Sequence, residues 1–329
     1  MFCQRAYFDY MKLRILYHGN CFDGVSSAAI FTKFYRATVD ASVEVAYTPT
    51  VHRPGNAFEK EQFDGDENAI VDFKYCPDER LTWWFDHHQS AFLTPEDEAH
   101  FNADTSGQKF LDTTSKSCAE FIARVAKEKY GFEDESLTEL IHWAHIIDGA
   151  LYDSPAQCVE LRSSALKLMQ VIEGEKDPAF VEEIIRMLTL STLDDIVASE
   201  AIQSKLTPIL EQHWSTVDLI KNRAIAERGV VHFDLTGTGI EGYNKFIPYY
   251  FHPEVTYVVS LSQSSFRTKI SVGSNPWAPR PRTHNIAEIC ERYGGGGHAV
   301  VGAVSLRPDA LEDGKRFMAE IIDELQFDE

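Results

Sequence analysis

Leu81-Thr82-Trp83-Trp84-Phe85-Asp86-His87-His88 is an apolar run that ends in three polar, chemically active residues. The apolar part predicts a buried strand, so Asp86-His87-His88 lies where that strand gives way to a loop. Carboxylate and imidazole side chains in such a position are typical of metal sites. A triplet of this length also arises by chance, so its interpretation depends on the motifs around it.

Two further groups of polar residues follow predicted strands. His18-Gly19-Asn20-Cys21-Phe22-Asp23-Gly24 comes after the apolar run that contains Leu13, Ile15 and Leu16, and Asp72 follows Ala69-Ile70-Val71. The carboxyl ends of parallel strands meet at one crevice, where ligands bind. Carboxylates with imidazole suit manganese, and carboxylates with water suit magnesium. Two such ions can activate a shared water for attack on phosphorus.

A glycine run near the other end of the chain predicts a phosphate site. Gly294-Gly295-Gly296-Gly297-His298 precedes the apolar stretch Ala299–Val304. Successive residues without Cβ allow backbone N–H groups to approach a phosphate and form an anion nest. The alternative is a flexible turn, but the apolar stretch favours a loop that is held rigidly. His298 is then a candidate phosphate contact.

The order of these motifs resembles a known family. His18…Asp23-Gly24, Val71-Asp72-Phe73, Asp86-His87-His88 and a distal Gly-Gly-Gly-Gly-His run are similar to the DHH phosphoesterase superfamily with its DHH-associated C-terminal domain. That group contains oligoribonucleotide and nanoRNA phosphatases, cyclic-nucleotide phosphodiesterases and single-strand exonucleases. The resemblance covers most of the chain. It implies an N-terminal α/β domain with two metal ions, and a smaller domain that holds the substrate across a cleft.

Carried over by position, the resemblance implies a set of metal ligands: His18, Asp23, Asp72, His87 and Asp148. It implies that Asp72 bridges the two ions, with His18 on one side. Asp23 and His87 lie on the other side. Asp148, in His145-Ile146-Ile147-Asp148-Gly149, is the best match for one further aspartate, and Asp153 is the reserve candidate. The ions are expected to be Mn2+, with Mg2+ or Co2+ as alternatives.

The resemblance also implies catalytic and substrate-binding residues. Asp86 is expected to orient its neighbour and His88 to face the phosphate, so these two form the catalytic pair. The expected substrate-binding residues are Gly295, Gly296, Gly297, His298, Arg267 and Arg280.

The chain departs from the family pattern in two places. Many members carry Asp-x-Asp in the first motif, where this chain has Cys21 as the earlier residue. A thiolate there favours a softer ion, whereas a neutral thiol leaves that metal position weak. Some members also carry an arginine before the glycine loop, where this chain reads Ile270–Asn275. Arg267, or Arg280 with Arg282, is the candidate replacement.

Composition argues for a small substrate. The chain has 329 residues, 44% hydrophobic content and a formal net charge of −20. An acidic protein opposes the diffuse attraction that long duplex nucleic acids require. Val255–Ala287 nevertheless contains no acidic residue, and its basic side chains are Arg267, Lys269, Arg280 and Arg282. This window predicts either an anion-attracting patch with Trp277 as a base-stacking surface or an ordinary solvated edge.

Cysteine usage and hydropathy predict a soluble protein of a reducing, cytoplasmic compartment. The six cysteines are scattered, without zinc spacing or the density of a disulfide scaffold. No run of about 18 or more apolar residues indicates a membrane span. Met11 opens a natural first strand, so Met1–Tyr10 is interpreted as an extension from an upstream start.

The predicted fold class is α/β, with a mainly parallel sheet flanked by helices and a second, smaller α/β domain. Apolar strand-like runs alternate with helical patterns in the first half, which favours βαβ units. The predicted boundaries are residues 1–190 for the metal-binding domain, 191–223 for a helical connector and 224–329 for the C-terminal domain.

The leading functional hypothesis is a metal-dependent phosphoesterase acting on short oligonucleotides or small nucleotides, with no membrane partner. One alternative is hydrolysis of phosphoanhydrides such as pyrophosphate or short polyphosphate. The other is a nucleotide-binding regulatory protein with a degraded metal centre, which Cys21 supports. The sequence also leaves open a homodimer.

Overall fold

The computed structural model describes residues 11–52, 58–240 and 242–327. The strands found there are β1 (Lys12–His18), β2 (Glu44–Thr50), β3 (Glu67–Val71), β4 (Leu81–Asp86), β5 (Lys109–Leu111), β6 (Ile225–Glu227), β7 (Val230–Asp234), β8 (Tyr257–Gln263), β9 (Thr268–Ser274), β10 (Gly296–His298) and β11 (Val301–Leu306). The helices are α1 (Phe22–Thr38), α2 (Pro95–Asn102), α3 (Cys118–Tyr130), α4 (Thr138–Asp148), α5 (Pro155–Glu160), α6 (Ser164–Gly174), α7 (Pro178–Leu188), α8 (Leu193–Ala198), α9 (Glu200–Arg223), α10 (Ile247–Phe251), α11 (Ile286–Glu291) and α12 (Leu311–Leu325). Short 3-10 turns lie at Lys60–Gln62 and Glu135–Leu137.

The chain divides into two compact units. Unit 1 contains Met1–Leu151 and Ser163–Leu206, and unit 2 contains Tyr152–Arg162 and Thr207–Glu329. This partition differs from the predicted boundaries at 190 and 224, because the short segment with α5 joins the second unit and the boundary near 206 falls inside α9. The predicted N-terminal extension and Cys3 lie outside the described residues.

Unit 1 is built on a parallel sheet with the strand order β2-β1-β3-β4-β5. Both faces are covered, as β4 shows. Trp83 packs against Phe31 and Phe34 of α1, whereas Trp84, the next residue, packs against Tyr75 on the opposite face. Successive residues of a strand point to opposite faces, so a strand that is apolar at every position indicates a sheet buried on both sides.

Helix α1 is the central helix of unit 1. It is buried around most of its circumference and contacts α3, α4 and α7 as well as β1. A helix that is apolar on all sides belongs inside a packed domain and not at its surface. This helix of 17 residues begins inside the first polar motif, at Phe22, directly after Cys21.

Unit 2 contains a mixed sheet with the order β10-β11-β9-β8-β7-β6. Alternation along β8 assigns Tyr257, Val259 and Leu261 to a core with α11 and α12. Val258 points the other way, into a core that α5, α9 and α10 complete. Strands β7 and β8 pair in parallel, whereas β8 and β9 pair antiparallel, so the sheet is mixed.

These two units confirm the predicted fold class of a mainly parallel α/β sheet with a second, smaller α/β unit. Within the three described stretches, no helix combines the length and the apolarity that a bilayer span requires.

Asn68 is the polar residue on which the entry to β3 depends. Its amide accepts from the Gly65 N–H at 3.0 Å and donates to the carbonyls of Gly65 and Arg80 at 3.2 and 3.1 Å. The side chain is buried, so water cannot replace these bonds. We expect Asn68→Ala to lower the free energy of unfolding by about 3 kcal/mol, as measured by urea denaturation.

Asn102→Ala is the matched control for this prediction, because Asn102 is exposed at the end of α2. It is expected to leave the urea midpoint unchanged. Equal stability losses in the two variants would contradict the role assigned to Asn68.

Candidate metal centre

Three neighbouring strands of unit 1 bring the predicted site residues to one edge of the sheet. His18 is the last residue of β1, Asp72 directly follows β3, and Asp86 is the last residue of β4. In the sheet, β2 is adjacent to β1 on one side and β3 is adjacent to β1 on the other. The direction in which strands are added therefore reverses between β1 and β3. Such a switch point is where parallel α/β sheets bind ligands.

Asp72 lies at the centre of this edge. Its backbone is in the left-handed region, with φ at 57°, which is uncommon for a residue with Cβ and is typical of functional positions. The side chain is 1% exposed, and neither carboxylate oxygen has a hydrogen-bond partner among the described residues. Oδ2 faces Nδ1 of His18 at 3.4 Å, and Oδ1 faces Nε2 of His87 at 3.3 Å. Burial works to raise the pKa of Asp72, but these two imidazoles outweigh it and lower that pKa.

His87 presents one ring nitrogen to a group of carboxylates. Its Nε2 lies 3.6 Å from Asp23 and 3.5 Å from Asp148, in addition to Asp72. Burial works to lower the pKa of His87, but Asp72 and Asp23 raise it to about 10. On the other side of the ring, Nδ1 lies 3.1 Å from the carbonyl of Ser115, to which an Nδ1–H donates. That bond orients Nε2 toward the carboxylates, as is usual for histidine ligands of metals.

Asp23 has a second function that the sequence did not indicate. Its two carboxylate oxygens accept from the backbone N–H groups of Cys118 and Ala119, at 2.6 and 3.0 Å. The first N–H groups of a helix have no acceptor within the helix, and their partial positive charge favours a carboxylate. Asp23 supplies that acceptor for α3. Asp23, in the first turn of α1, therefore also connects α1 to α3. Burial first, and then the charges of Asp72 and Asp148, raises the pKa of Asp23.

Gly24 explains why glycine follows Asp23. A Cβ at this position would lie 2.2 Å from the carbonyl oxygen of His18 and 2.8 Å from its Cβ. The absence of a side chain lets α1 begin directly against the end of β1. This close approach places Asp23 and His18 at the same edge of the sheet.

Asp86 is hydrogen-bonded to His88 and is not one of the carboxylates grouped around His87. Oδ1 of Asp86 accepts from the backbone N–H of His87 at 2.8 Å and lies 2.7 Å from Nδ1 of His88. This hydrogen bond raises the pKa of His88, although burial opposes it. Nδ1 of His88 is also 3.9 Å from Asp72. Asp86 thus orients His88, and the remaining ring nitrogen is directed away from it.

The arrangement fits divalent cations. Three overlapping groups have potential ligand atoms within 4.8 Å of one another: His18, Cys21 and Asp72; Asp72, His87 and His88; and Asp23, His87 and Asp148. The buried atoms without hydrogen bonds at this edge include both oxygens of Asp72, Nδ1 of His18 and Nε2 of His87. Buried polar atoms are nearly always satisfied, and a cation would satisfy all of these. All five predicted ligands therefore lie in one cluster.

Cys21 lies close to this cluster. Burial first, and then the charges of Asp72 and Asp23, raises the pKa of Cys21 well above its ordinary value. Of the two forms considered from the sequence, this shift favours the neutral thiol in the absence of a cation.

Sequence reasoning missed the network that holds the Ser115 carbonyl. Arg124 of α3 donates to the Asp112 carboxylate and to Oγ of Ser115, the latter at 2.9 Å. Asp112 also accepts from Thr114, through its N–H at 2.9 Å and its hydroxyl at 2.6 Å. Asp, Thr and Ser residues favour turns held by side-chain hydrogen bonds to the backbone, so the stretch Asp112-Thr113-Thr114-Ser115 could have indicated this turn. His52, whose ring centre lies 5.0 Å from that of His18, was also given no role, although it follows β2 by two residues.

The glycine run of unit 2 forms a hairpin and not an open loop. Gly296, Gly297 and His298 constitute β10, which pairs with Ala303, Gly302 and Val301 of β11. A Cβ on Gly295 would lie 2.2 Å from the Ala303 carbonyl oxygen, so glycine is needed there for close packing. The N–H of Gly295 donates to the backbone carbonyl of Cys290 at 2.9 Å, and the N–H of Gly294 donates to the backbone carbonyl of Glu291 at 3.0 Å. These two amides thus satisfy the end of α11 and cannot also bind an anion, while His298 is exposed.

The basic residues of the acid-free window are divided between the two ends of the unit 2 sheet. Arg267 directly precedes β9, whereas Arg280 follows it and lies over the ring of Phe327. The glycine hairpin pairs near Gly273, at the far end of β9 from Arg267. β9 has seven residues, so six steps of about 3.3 Å separate its ends, about 20 Å in all. Arg267 and the segment with Arg280 thus adjoin opposite ends of β9, which does not favour a single anion-attracting patch formed by both.

Trp277, the predicted stacking surface, is engaged within unit 2. Its Nε1 donates to the Tyr152 carbonyl at 3.0 Å, and its ring packs against Phe246. The indole thus serves the core of unit 2 on at least one edge and one face.

Solved structures share this fold. PggH, a pGpG-specific phosphodiesterase from Vibrio cholerae, matches with a TM-score of 0.68 and 17% identity over 96% of this chain and 99% of that chain. An exopolyphosphatase-related protein from Bacteroides fragilis matches with a TM-score of 0.52 and 14% identity, covering 96% and 93%. A DHH domain described as a member of the s1p family of ribosomal proteins matches with a TM-score of 0.56 and 13% identity, covering 96% and 88%.

No protein-family model and no curated sequence matches the chain. Because the structural matches have low identity, they establish the fold alone. At the level of the fold, the chain is similar to a solved DHH domain.

Asp148 is suited to testing the cluster because its side chain, 28% exposed, can be replaced without disturbing the core. Partial burial and then Asp72 raise the pKa of its carboxyl, and solvent weakens both effects. We expect Asp148→Asn to change the Tm of metal-stripped protein by no more than about 1 °C and to reduce the Tm increase that Mn2+ causes. Thermal melts with and without Mn2+ measure both effects, with Asp153→Asn, an exposed aspartate of unit 2, as control. A full Mn2+ response in Asp148→Asn would remove Asp148 from the ligand set.

Arg124 provides a second test, through the orientation of His87. Arg124→Ala is expected to weaken Mn2+ binding about 10–100-fold, because it frees the turn whose carbonyl holds the His87 ring. Isothermal titration measures the affinity. Lys127→Ala is the control, since Lys127 is on the same helix but pairs with Glu133. Equal Mn2+ affinities in the two variants would show that the turn does not position His87.

Proposed function

We propose that this protein is a metal-dependent phosphoesterase that hydrolyses short oligonucleotides or small nucleotides. The observation that carries the proposal is Asp72, a buried carboxylate. Its two oxygens have no hydrogen bond among the described residues, and they face the imidazoles of His18 and His87. A buried charge without hydrogen bonds is costly in a site with no ligand function. Its location at the switch point of a parallel sheet supports a binding role.

The chain's own residues would hold two divalent ions. Asp72 would help to hold both, together with His18, which faces its Oδ2, and His87, which faces its Oδ1. Asp23 and Asp148 would complete the second position. When bound, such ions supply an activated water and stabilise the negative charge that develops on phosphate oxygens.

His88 is the residue that we assign to the phosphate. Asp86 holds its Nδ1 and raises the pKa of His88, which favours the charged imidazolium, the form in which Nε2 also carries a proton. An Nε2–H directed away from Asp86 can donate to a phosphoryl oxygen or to the leaving oxygen. Asp86 then acts as a positioning residue for His88.

Two observations support a small substrate. The net charge of −20 opposes binding of long nucleic acids. The structure with a TM-score of 0.68 is that of a phosphodiesterase specific for pGpG, a linear dinucleotide, and it matches over nearly the full length of both chains. We therefore take a 5′-phosphorylated dinucleotide as the first substrate to test.

Phosphoanhydride hydrolysis is the second candidate, and one observation favours it. Trp277, the aromatic residue expected to stack on a base, is engaged with Tyr152 and Phe246 inside unit 2. An inorganic chain needs no stacking surface, so this reaction requires less of unit 2 than a dinucleotide does.

The assay compares pGpG and pyrophosphate as substrates for metal-stripped protein supplied with Mn2+. We expect Mn2+-dependent release of GMP. His87→Ala should lower the rate by more than about 100-fold, since even residues that only orient metal ligands contribute 10–100-fold. Asp153→Asn, which lies outside the cluster, is the control and should keep the full rate.

The other outcomes distinguish the alternatives. Turnover of pyrophosphate alone would replace the first proposal by phosphoanhydride hydrolysis. Inactivity on both substrates, with Mn2+ still bound, would overturn the hydrolase assignment and favour a nucleotide-binding protein.

A further inference from the structure

Cys21 lies where it can complete a set of metal ligands. It directly precedes α1, with an extended backbone, and its side chain does not cap the helix. Its Sγ, a ring nitrogen of His18 and a carboxylate oxygen of Asp72 lie within 4.8 Å of one another. The three atoms are sulfur, nitrogen and oxygen, and they converge from two adjacent strand ends.

His18 and Asp72, the other two members of this set, have buried polar atoms without a hydrogen-bond partner. Both oxygens of Asp72 and Nδ1 of His18 are buried without a hydrogen bond among the described residues. The Asp72 side chain is 1% exposed, so water does not satisfy it. These unpartnered atoms point to a ligand at this position independently of the cysteine.

The second set of ligands at the same edge contains no sulfur. Asp23, His87 and Asp148 offer carboxylate oxygen and imidazole nitrogen alone. Asp72 belongs to both sides, because Oδ2 faces His18 and Oδ1 faces His87. One carboxylate thus separates a position that contains sulfur from one that does not.

We infer that Cys21 is a metal ligand and that the two positions of the centre prefer different ions. The position of His18, Cys21 and Asp72 takes a borderline-soft cation, Zn2+ or Co2+, whereas the position of Asp23, His87 and Asp148 takes Mn2+ or Mg2+. Thiolate sulfur selects zinc-like ions, and carboxylate-rich sets select harder ones. On binding, the Sγ–H bond breaks, the sulfur electron pair bonds the cation and the proton passes to solvent.

The inference rests on the proposed metal-dependent function, but it concerns which ions bind. Its test measures metal binding, so it can fail while hydrolysis with Mn2+ succeeds.

Zinc-edge X-ray absorption of the full chain, stripped of metal and reloaded with one equivalent of Zn2+, tests the ligand directly. We expect a sulfur neighbour at about 2.3 Å from zinc. This signal should be absent in Cys21→Ser and retained in Cys76→Ser, a partly exposed cysteine elsewhere in unit 1. A spectrum without sulfur in the natural protein, or one unchanged in Cys21→Ser, would overturn the inference.

A competition measurement covers the metal preference. The stripped protein is equilibrated with equal Zn2+ and Mn2+, dialysed and analysed for metal content. We expect both ions in the natural protein and a shift toward Mn2+ in Cys21→Asp, which substitutes an oxygen ligand. We also expect Cys21→Ser to weaken zinc binding by at least about 100-fold, because loss of residues that merely orient ligands already lowers affinity 10–100-fold.

The Cys21→Asp variant separates a change in metal preference from a loss of folding. Cys21→Asp with natural secondary structure and an unchanged ratio of Zn2+ to Mn2+ would contradict the proposed selectivity.

Discussion

The buried carboxylate of Asp72 is the constraint on which the metal edge depends. An ionised carboxylate removed from water is costly unless positive charge or hydrogen-bond donors compensate it. The chain places imidazoles on both sides, His18 from β1 and His87 from the loop after β4. Because these residues end neighbouring strands, one charge requires three strand ends to keep their register. The same charge creates a strong preference for cations.

A second layer of backbone and side-chain contacts keeps this first layer in position. Asp23 accepts from the first amides of α3, so the helix that carries Arg124 is joined to the helix that carries Asp23. Arg124 in turn holds the turn whose carbonyl orients His87. The ligands are thus fixed by interactions that begin far apart in the sequence, and their geometry does not depend on the side chains of a flexible loop.

Unit 2 contains a different use of glycine from the one expected. Gly295 and Gly297 permit close packing between β10 and β11, where a Cβ would collide with backbone. Two of the amides expected to bind phosphate instead satisfy the end of α11. An anion at this hairpin would therefore meet side chains such as His298 rather than the amides of Gly294 and Gly295. The strand β9 also keeps Arg267 apart from the residues that follow Ser274.

By itself, the sequence determined the elements and the residues at their ends. His18, Asp72 and Asp86 could be located because apolar runs mark strands, and this pattern is local. Asp148 was identified only through the resemblance. Tertiary structure alone decided which oxygen of Asp72 faces which imidazole, that Asp23 also binds α3, and that Arg267 lies away from the glycine hairpin. Those facts depend on strand order, register and contacts between distant segments, and no local pattern of residues encodes them.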